Sequence, residues 1–352
     1  MKYARELLRD VDGYTPGEQP RDAGVIKLNT NENPYPPSPR VLDAVRGLGA
    51  EALRKYPDPV ATAFREACAH RYGYPGPEWI IAGNGMDELL ALAVRTFVDP
   101  GDRVLAMYPT YSLYDVLCRL HGAELATVDL DADFGLTEDF FTTPARLCFF
   151  TRPNAPTGRA APRAEVERFC AGFKGVIVID EAYVDFAEDN CMDLARRFDN
   201  VIVMRTFSKS FSLAGMRIGV AVANPDLVNE FLKTKDSYNM DAVSQAVGLA
   251  AVEDYAHMER NVARVRATRA RLIGDLRRLG FVVGDSQANF VLARKQGAPS
   301  AWELFDALRK RAIYVRYFDM RRLEDAIRIT VGTDNECAAL VAALETLLDV
   351  QA

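Results

Sequence analysis

Six short apolar runs limit what this chain can fold into. They are WIIAG, RVLAM, ARLCFF, GVIVID, NVIVMR and RIGVAVA, spread between residues 79 and 223 and separated by helical or turn segments. The runs are apolar on both faces, as strands covered by helices must be. Strands alternating with helices in this way predict an α/β domain built on a largely parallel sheet.

Outside that region the pattern changes. NTNENPYPPSPRVLDAVRGL predicts a helix from near Arg40, and ATAFREACAHRYG predicts one that stops at Gly73. Beyond about residue 225, long amphipathic helices mix with NFVLAR, IYVRYF and AIRITVG, which read as strands. The expected organisation is a large domain over residues 44–240 and a smaller α+β domain made from 1–43 and 241–352. At 352 residues the chain is long enough for both.

A net charge of −6 argues against a nucleic-acid partner. The seven arginines of RNVARVRATRARLIGDLRRLG (260–280) alternate with apolar residues at helical spacing, so they read as the solvated face of an amphipathic helix. No apolar run approaches the ~18–20 residues of a membrane span, and the first residues lack the apolar block of a signal peptide, so no membrane partner and a cytoplasmic location are expected. The six cysteines are far apart, without a C-x-x-C pair, and read as reduced buried thiols rather than disulfides or metal ligands. His70, His121 and His257 fall outside any recognisable catalytic or metal pattern.

In an open α/β sheet, ligands bind beyond the carboxyl ends of the strands. The segments there are GNGMDE, YPTYSLY, TRPNAPTG, DEAY and RTFSKS. GNGMDE puts two glycines ahead of a helix, a turn that suits a phosphate but also opens many ordinary helices. YPTYSLY offers Tyr108, Tyr111 and Tyr114, any of which either lies flat on an aromatic ligand or packs in the core. Asp180 ends a wholly apolar run, where a carboxylate is costly unless it meets a cation. A protonated pyridine nitrogen and a structural arginine both meet that need. Lys209 is one of only nine lysines among 43 basic residues. Unlike arginine, lysine can lose its proton and attack a carbonyl. Phosphate cradle, ring surface, carboxylate and reactive amine together match the four recognisable parts of pyridoxal 5′-phosphate.

Taken in order, KLNTNENPYPPSP, RKYPDP, GNGMDEL, YPTYSLY, PNAPTG, VIDEAYVDF, RTFSKSFSLAGMRIG, ANFVL and IRITVGT span residues 27–333, and in this the chain resembles the fold-type-I pyridoxal-phosphate aminotransferases, most of all the histidinol-phosphate aminotransferases. The resemblance implies an enzyme of histidine biosynthesis that moves an amino group between histidinol phosphate and 2-oxoglutarate or glutamate. It implies that Lys209 carries the cofactor and acts as the base, that Asp180 pairs with the pyridine nitrogen and that Tyr183 donates to the phenolic oxygen. Tyr111 would stack on the ring. Gly85, Met86, Asp87, Thr206, Ser208 and Arg217 would surround the phosphate, with Tyr56 arriving from the partner of a homodimer with shared sites. Arg328 would hold the substrate's anionic end, Arg316 would add a second phosphate contact, and Tyr14 and Asn31 would help close the site. No metal is implied.

One position departs from the family. Asparagine usually precedes the proline of PTG and contacts the phenolic oxygen, but this chain has Ala155 there, with Asn154 one residue earlier. The expectation is that Asn154 turns in to replace the missing amide, helped by a cis peptide before Pro156. Close alternatives are an aromatic amino-acid aminotransferase and a threonine-phosphate decarboxylase. A non-catalytic nucleotide-binding protein is a different class, and it would be colourless where a pyridoxal enzyme is yellow.

Overall fold

A computed structural model describes residues 3–9, 11–20 and 24–348. Its centre is a seven-stranded sheet in the order Ile80–Gly83, Gly219–Ala223, Val201–Thr206, Val176–Asp180, Leu147–Thr151, Arg103–Tyr108, Glu124–Asp129. Only Gly219–Ala223 runs against its neighbours. The other pairings are parallel, so the sheet is largely parallel, as the apolar runs predict, with one antiparallel strand that they do not reveal. The strands Leu147–Thr151, Val201–Thr206 and Gly219–Ala223 are buried at every position, because helices cover both faces.

The seventh strand has no counterpart among the six apolar runs. Glu124–Asp129 (ELATVD) lies at the sheet edge and never becomes fully buried, so its sequence is free to carry charge. The parallel register sets Thr151 beside Asp180 and Asp180 beside Met204, so the polar ends of three neighbouring strands emerge together.

A second, antiparallel sheet orders Arg316–Tyr317, Ala326–Thr330, Phe290–Arg294 and Val282–Val283. IYVRYF is divided at Val315. Ile313–Tyr314 pairs with Ile26–Lys27, while Arg316–Tyr317 turns to pair with Ala326–Thr330. Alternation alone cannot reveal that one run serves two sheets. The helix Tyr255–Arg278 buries Val262, Val265, Leu272 and Leu276 as its spacing requires. Its polar face is not wholly solvated, however: Arg269 is buried and donates to the carbonyls of Phe186 and Ala288 at 3.1 and 2.7 Å. All six cysteines are buried and unpaired. Among the described residues no helix is long and apolar enough to cross a membrane.

Candidate active site

The strand ends open into a cavity of about 220 Å³. Lys209, Asp180, Tyr183, Tyr111, Thr206, Ser208 and Arg217 line it from the large sheet's strand ends and the loops that follow them. Met86 and Asp87 enter from the start of the helix Met86–Phe97, Arg316 and Arg328 from the smaller sheet, and Tyr14 and Asn31 from the N-terminal segment.

Lys209 follows the strand Val201–Thr206, and its Nζ donates to the carbonyl of Thr30 at 3.2 Å. Burial, aided by the nearby Arg328 guanidinium, lowers its pKa to about 8. A substantial fraction of the amine is therefore neutral near pH 8, as a nucleophile or base requires. The loop is clamped from below by Asn33, whose Nδ2 donates to the carbonyls of Lys209 and Ser210 at 3.1 Å each. The sequence reading missed Asn33, although it lies within the NTNENP stretch.

Asp180 is 2% exposed. One oxygen accepts the Ala182 amide at 3.0 Å and the other the Tyr114 hydroxyl at 2.5 Å. Among the described residues no basic side chain pairs with it, so burial raises its pKa to about 6 even against the Tyr114 hydrogen bond. The structural-arginine alternative therefore falls, since the arginine in this region, Arg205, pairs with Glu181 at 2.9 Å. Asp180 is left needing a cation from outside the protein.

Around the helix start, Arg217 donates to Ser208 at 3.2 Å and forms an ion pair with Asp87 at 3.0 Å. Gly85 has φ +84°, and a Cβ there would lie 2.8 Å from Arg217 Nη2, so glycine is what lets the guanidinium cross this turn. Among the described residues no side chain caps this helix, which leaves its first amides available to an anion. Tyr111 meets Tyr14 edge-on at 5.6 Å.

Tyr183 is buried, which raises its pKa. Asn31 Nδ2 donates to its hydroxyl at 3.0 Å, and Asn31 is held in that sense because its Oδ1 accepts from Thr330 at 3.0 Å. The Tyr183 proton is thus left for an acceptor in the cavity. Arg316 and Arg328 sit opposite one another across antiparallel strands, an arrangement that repels unless an anion joins them. Among the described residues neither pairs with a carboxylate, and Arg328 Nε is buried without a partner. Arg328 otherwise donates to the carbonyl of Asn29 at 2.9 Å. These features fit pyridoxal phosphate and a second anion: an open anion cradle, an unpaired buried carboxyl, a depressed lysine and two arginines without acids.

Two expected residues are elsewhere. Tyr56 is 81% exposed, outside the cavity, and stacks on Tyr238 at 4.4 Å. Asn154 does not turn in, so that expectation is corrected. Its Nδ2 donates to the carbonyl of Pro109 at 3.0 Å and to Thr157 Oγ1 at 3.1 Å, and the side chain borders a separate cavity of about 100 Å³. The peptide before Pro156 is cis, yet it is Ala155 that faces the main cavity. Turning the amide inward would strip the buried Pro109 carbonyl of its donor. Asn154→Ala is therefore expected to leave the pH midpoint of the holoenzyme's visible band unmoved while lowering stability by about 1–3 kcal/mol. A moved midpoint in a pH titration would show that the amide reaches the ring after all.

Comparison with known proteins decides the family. Residues 23–344 match the family described as aminotransferase class I and II. The chain belongs to this family. It is 46% identical over 356 residues to histidinol-phosphate aminotransferase 2 of Burkholderia mallei, covering 99% of each chain. To the histidinol-phosphate aminotransferase of Microcystis aeruginosa it is 43% identical over 348 residues, again covering 99% of each. Among solved structures, the histidinol-phosphate aminotransferase of Sinorhizobium meliloti in complex with pyridoxal-5′-phosphate superposes with a TM-score of 0.86 at 28% identity, covering 92% of this chain and 91% of that one. The protein is thus an aminotransferase of the fold-type-I α/β architecture.

Proposed function

We propose that this aminotransferase moves an amino group between histidinol phosphate and 2-oxoglutarate, by way of pyridoxal 5′-phosphate, in histidine biosynthesis. The observation that carries the reading is the pair Arg316 and Arg328, without an acid partner among the described residues, in the same cavity as Lys209 and Asp180. When bound, the cofactor supplies an aldehyde that takes up the amino group and a pyridine ring that draws electrons from the substrate's Cα. The chain's own groups supply the rest. Lys209 Nζ would hold the cofactor and carry a proton to and from the substrate's Cα, Asp180 would favour a protonated ring nitrogen, and Tyr183 would donate a hydrogen bond to the phenolic oxygen. Arg217, Ser208, Thr206 and the amides of Gly85, Met86 and Asp87 anchor the cofactor phosphate. Tyr111 covers the ring, and Tyr14 and Asn31 shield the site from water.

Arg328 must take two anions in turn, the phosphate of histidinol phosphate and a carboxylate of glutamate. Its planar fork meets either group at two points, which a lysine ammonium cannot do. Arg328→Lys is expected to weaken both half-reactions by about 1–3 kcal/mol in single-turnover kinetics. A loss confined to the glutamate half-reaction would assign the substrate phosphate to Arg316 alone. The direct test of function is turnover of histidinol phosphate, phenylalanine and threonine phosphate with 2-oxoglutarate. Preference for phenylalanine, or release of carbon dioxide from threonine phosphate, would replace this reading.

The proposal includes a cytoplasmic homodimer, divided into the domains 44–240 and 1–43 with 241–352, in which Tyr56 reaches the partner's cofactor phosphate. Its support is that Tyr56, Leu53, Leu42 and Val45 are all exposed and apolar. Sedimentation at assay concentration is expected to show the dimer. A fully active monomer would overturn the shared site.

A further inference from the structure

Tyr114 is wholly buried on the helix Leu113–His121. Its ring is stacked on Phe149 at 4.3 Å and meets Tyr111 edge-on at 5.7 Å. A phenylalanine would make both ring contacts, so packing does not call for the hydroxyl, and a buried hydroxyl is unfavourable unless it is bonded. This one lies 2.5 Å from Asp180 Oδ2 and 2.8 Å from Thr151 Oγ1. A phenol has one proton. An ionised carboxylate can only accept, so the proton goes to Asp180 and Thr151 donates to the phenol oxygen. The register that sets Thr151 beside Asp180 holds this line of hydroxyls in place.

We propose that Tyr114 is a positioning residue of the site: it keeps Asp180 ionised and its second oxygen fixed, with Thr151 setting the direction of the phenolic proton. The inference rests on the reading of Asp180 as the partner of a pyridine nitrogen. The other groups facing Asp180 make such help necessary. Asp87 from the helix Met86–Phe97 and Glu181 beside it on its own chain are both acids, and Tyr183 is neutral. Each acid disfavours a further negative charge. Among the described residues, the Ala182 amide is the other group that hydrogen-bonds the carboxylate.

The test is the affinity of the apoenzyme for pyridoxal phosphate, read by fluorescence from about pH 5 to pH 8, where a buried carboxyl titrates. Comparing wild type and variants at each pH cancels the ligand's own ionisations. In wild type, affinity is expected to fall as Asp180 takes up its proton. In Tyr114→Phe that fall is expected about one pH unit higher, giving roughly tenfold weaker binding on the acid side. Thr151→Val should move it the same way by less, and it keeps the relay testable if Tyr114→Phe does not fold. In an Asp180→Asn background, Tyr114→Phe should change nothing, and affinity for inorganic phosphate should be the same in every variant. An unmoved break in folded Tyr114→Phe, or a shift that persists without the carboxylate, overturns the proposal. If wild type binds no pyridoxal phosphate, the cofactor reading fails first and takes this inference with it.

Discussion

Lys209→Ala is expected to lose more than about a thousandfold in turnover, because in the proposed function one side chain supplies both the nucleophile and the base and general-base catalysis alone contributes roughly 10²–10⁴. The fold should survive. Among the described residues the ammonium makes a single hydrogen bond, to the carbonyl of Thr30, and the backbone of its loop is held independently by Asn33. A folded variant with near-normal transamination would remove Lys209 from the chemistry.

The same residue predicts a pH signature in the apoenzyme. Its folded pKa of about 8 lies below the ordinary value of 10.5. Between these values the unfolded chain binds the proton and the folded one does not, so stability rises with pH across that window. Below about pH 8 both states are protonated, and the full penalty of burying the ammonium is present. Urea unfolding of wild type and Lys209→Ala should therefore show the largest advantage for the variant below pH 8, shrinking as the pH approaches 10.5. An advantage independent of pH would mean the amine is not desolvated.

How much of this was legible depends on what each residue touches. Strands buried on both faces announce themselves, as GVIVID and NVIVMR do, because every position must be apolar. The edge strand ELATVD escapes, since one edge has no neighbouring strand and the residues there answer to water as well as to the core. The site was readable wherever a residue type is unreasonable by itself: a carboxylate ending an apolar run, a lysine in an arginine-rich chain. Orientation was not. Asn154 and Ala155 are adjacent, and which one faces the cavity is settled by the carbonyl of Pro109, 45 residues away in sequence. Tyr108, Tyr111 and Tyr114 also look alike in sequence. Only the fold separates Tyr111 at the cavity from Tyr114 behind it, and Tyr108, whose hydroxyl reaches the carbonyl of Arg321.

Asp180→Asn carries the other large effect, and there activity and stability should move in opposite directions. The folded pKa of about 6 lies above the ordinary 3.8, so between those values the folded state binds the extra proton and stability falls as the pH rises. Above about pH 6 the unfavourable burial of the charge is present in full. Asparagine removes that charge and can keep the bonds: its Oδ1 accepts from the Ala182 amide, and its Nδ2 donates to Tyr114, whose proton turns to Thr151. The apoenzyme of Asp180→Asn should therefore be more stable than wild type by about 1–3 kcal/mol at neutral pH, with the gap closing toward pH 4. Turnover should fall by roughly 10²–10⁴, the scale of losing a properly charged partner at the reacting ring. On the proposed function both follow from one cause, a carboxylate held in an apolar strand end for a cation that no described residue provides. Paired unfolding curves at about pH 4 and pH 7.5 decide the matter, since these lie on either side of the expected titration. A variant less stable than wild type at both would show that Asp180 is a structural anchor, and the case for a pyridine partner would then have to rest on Lys209 and the phosphate cradle alone.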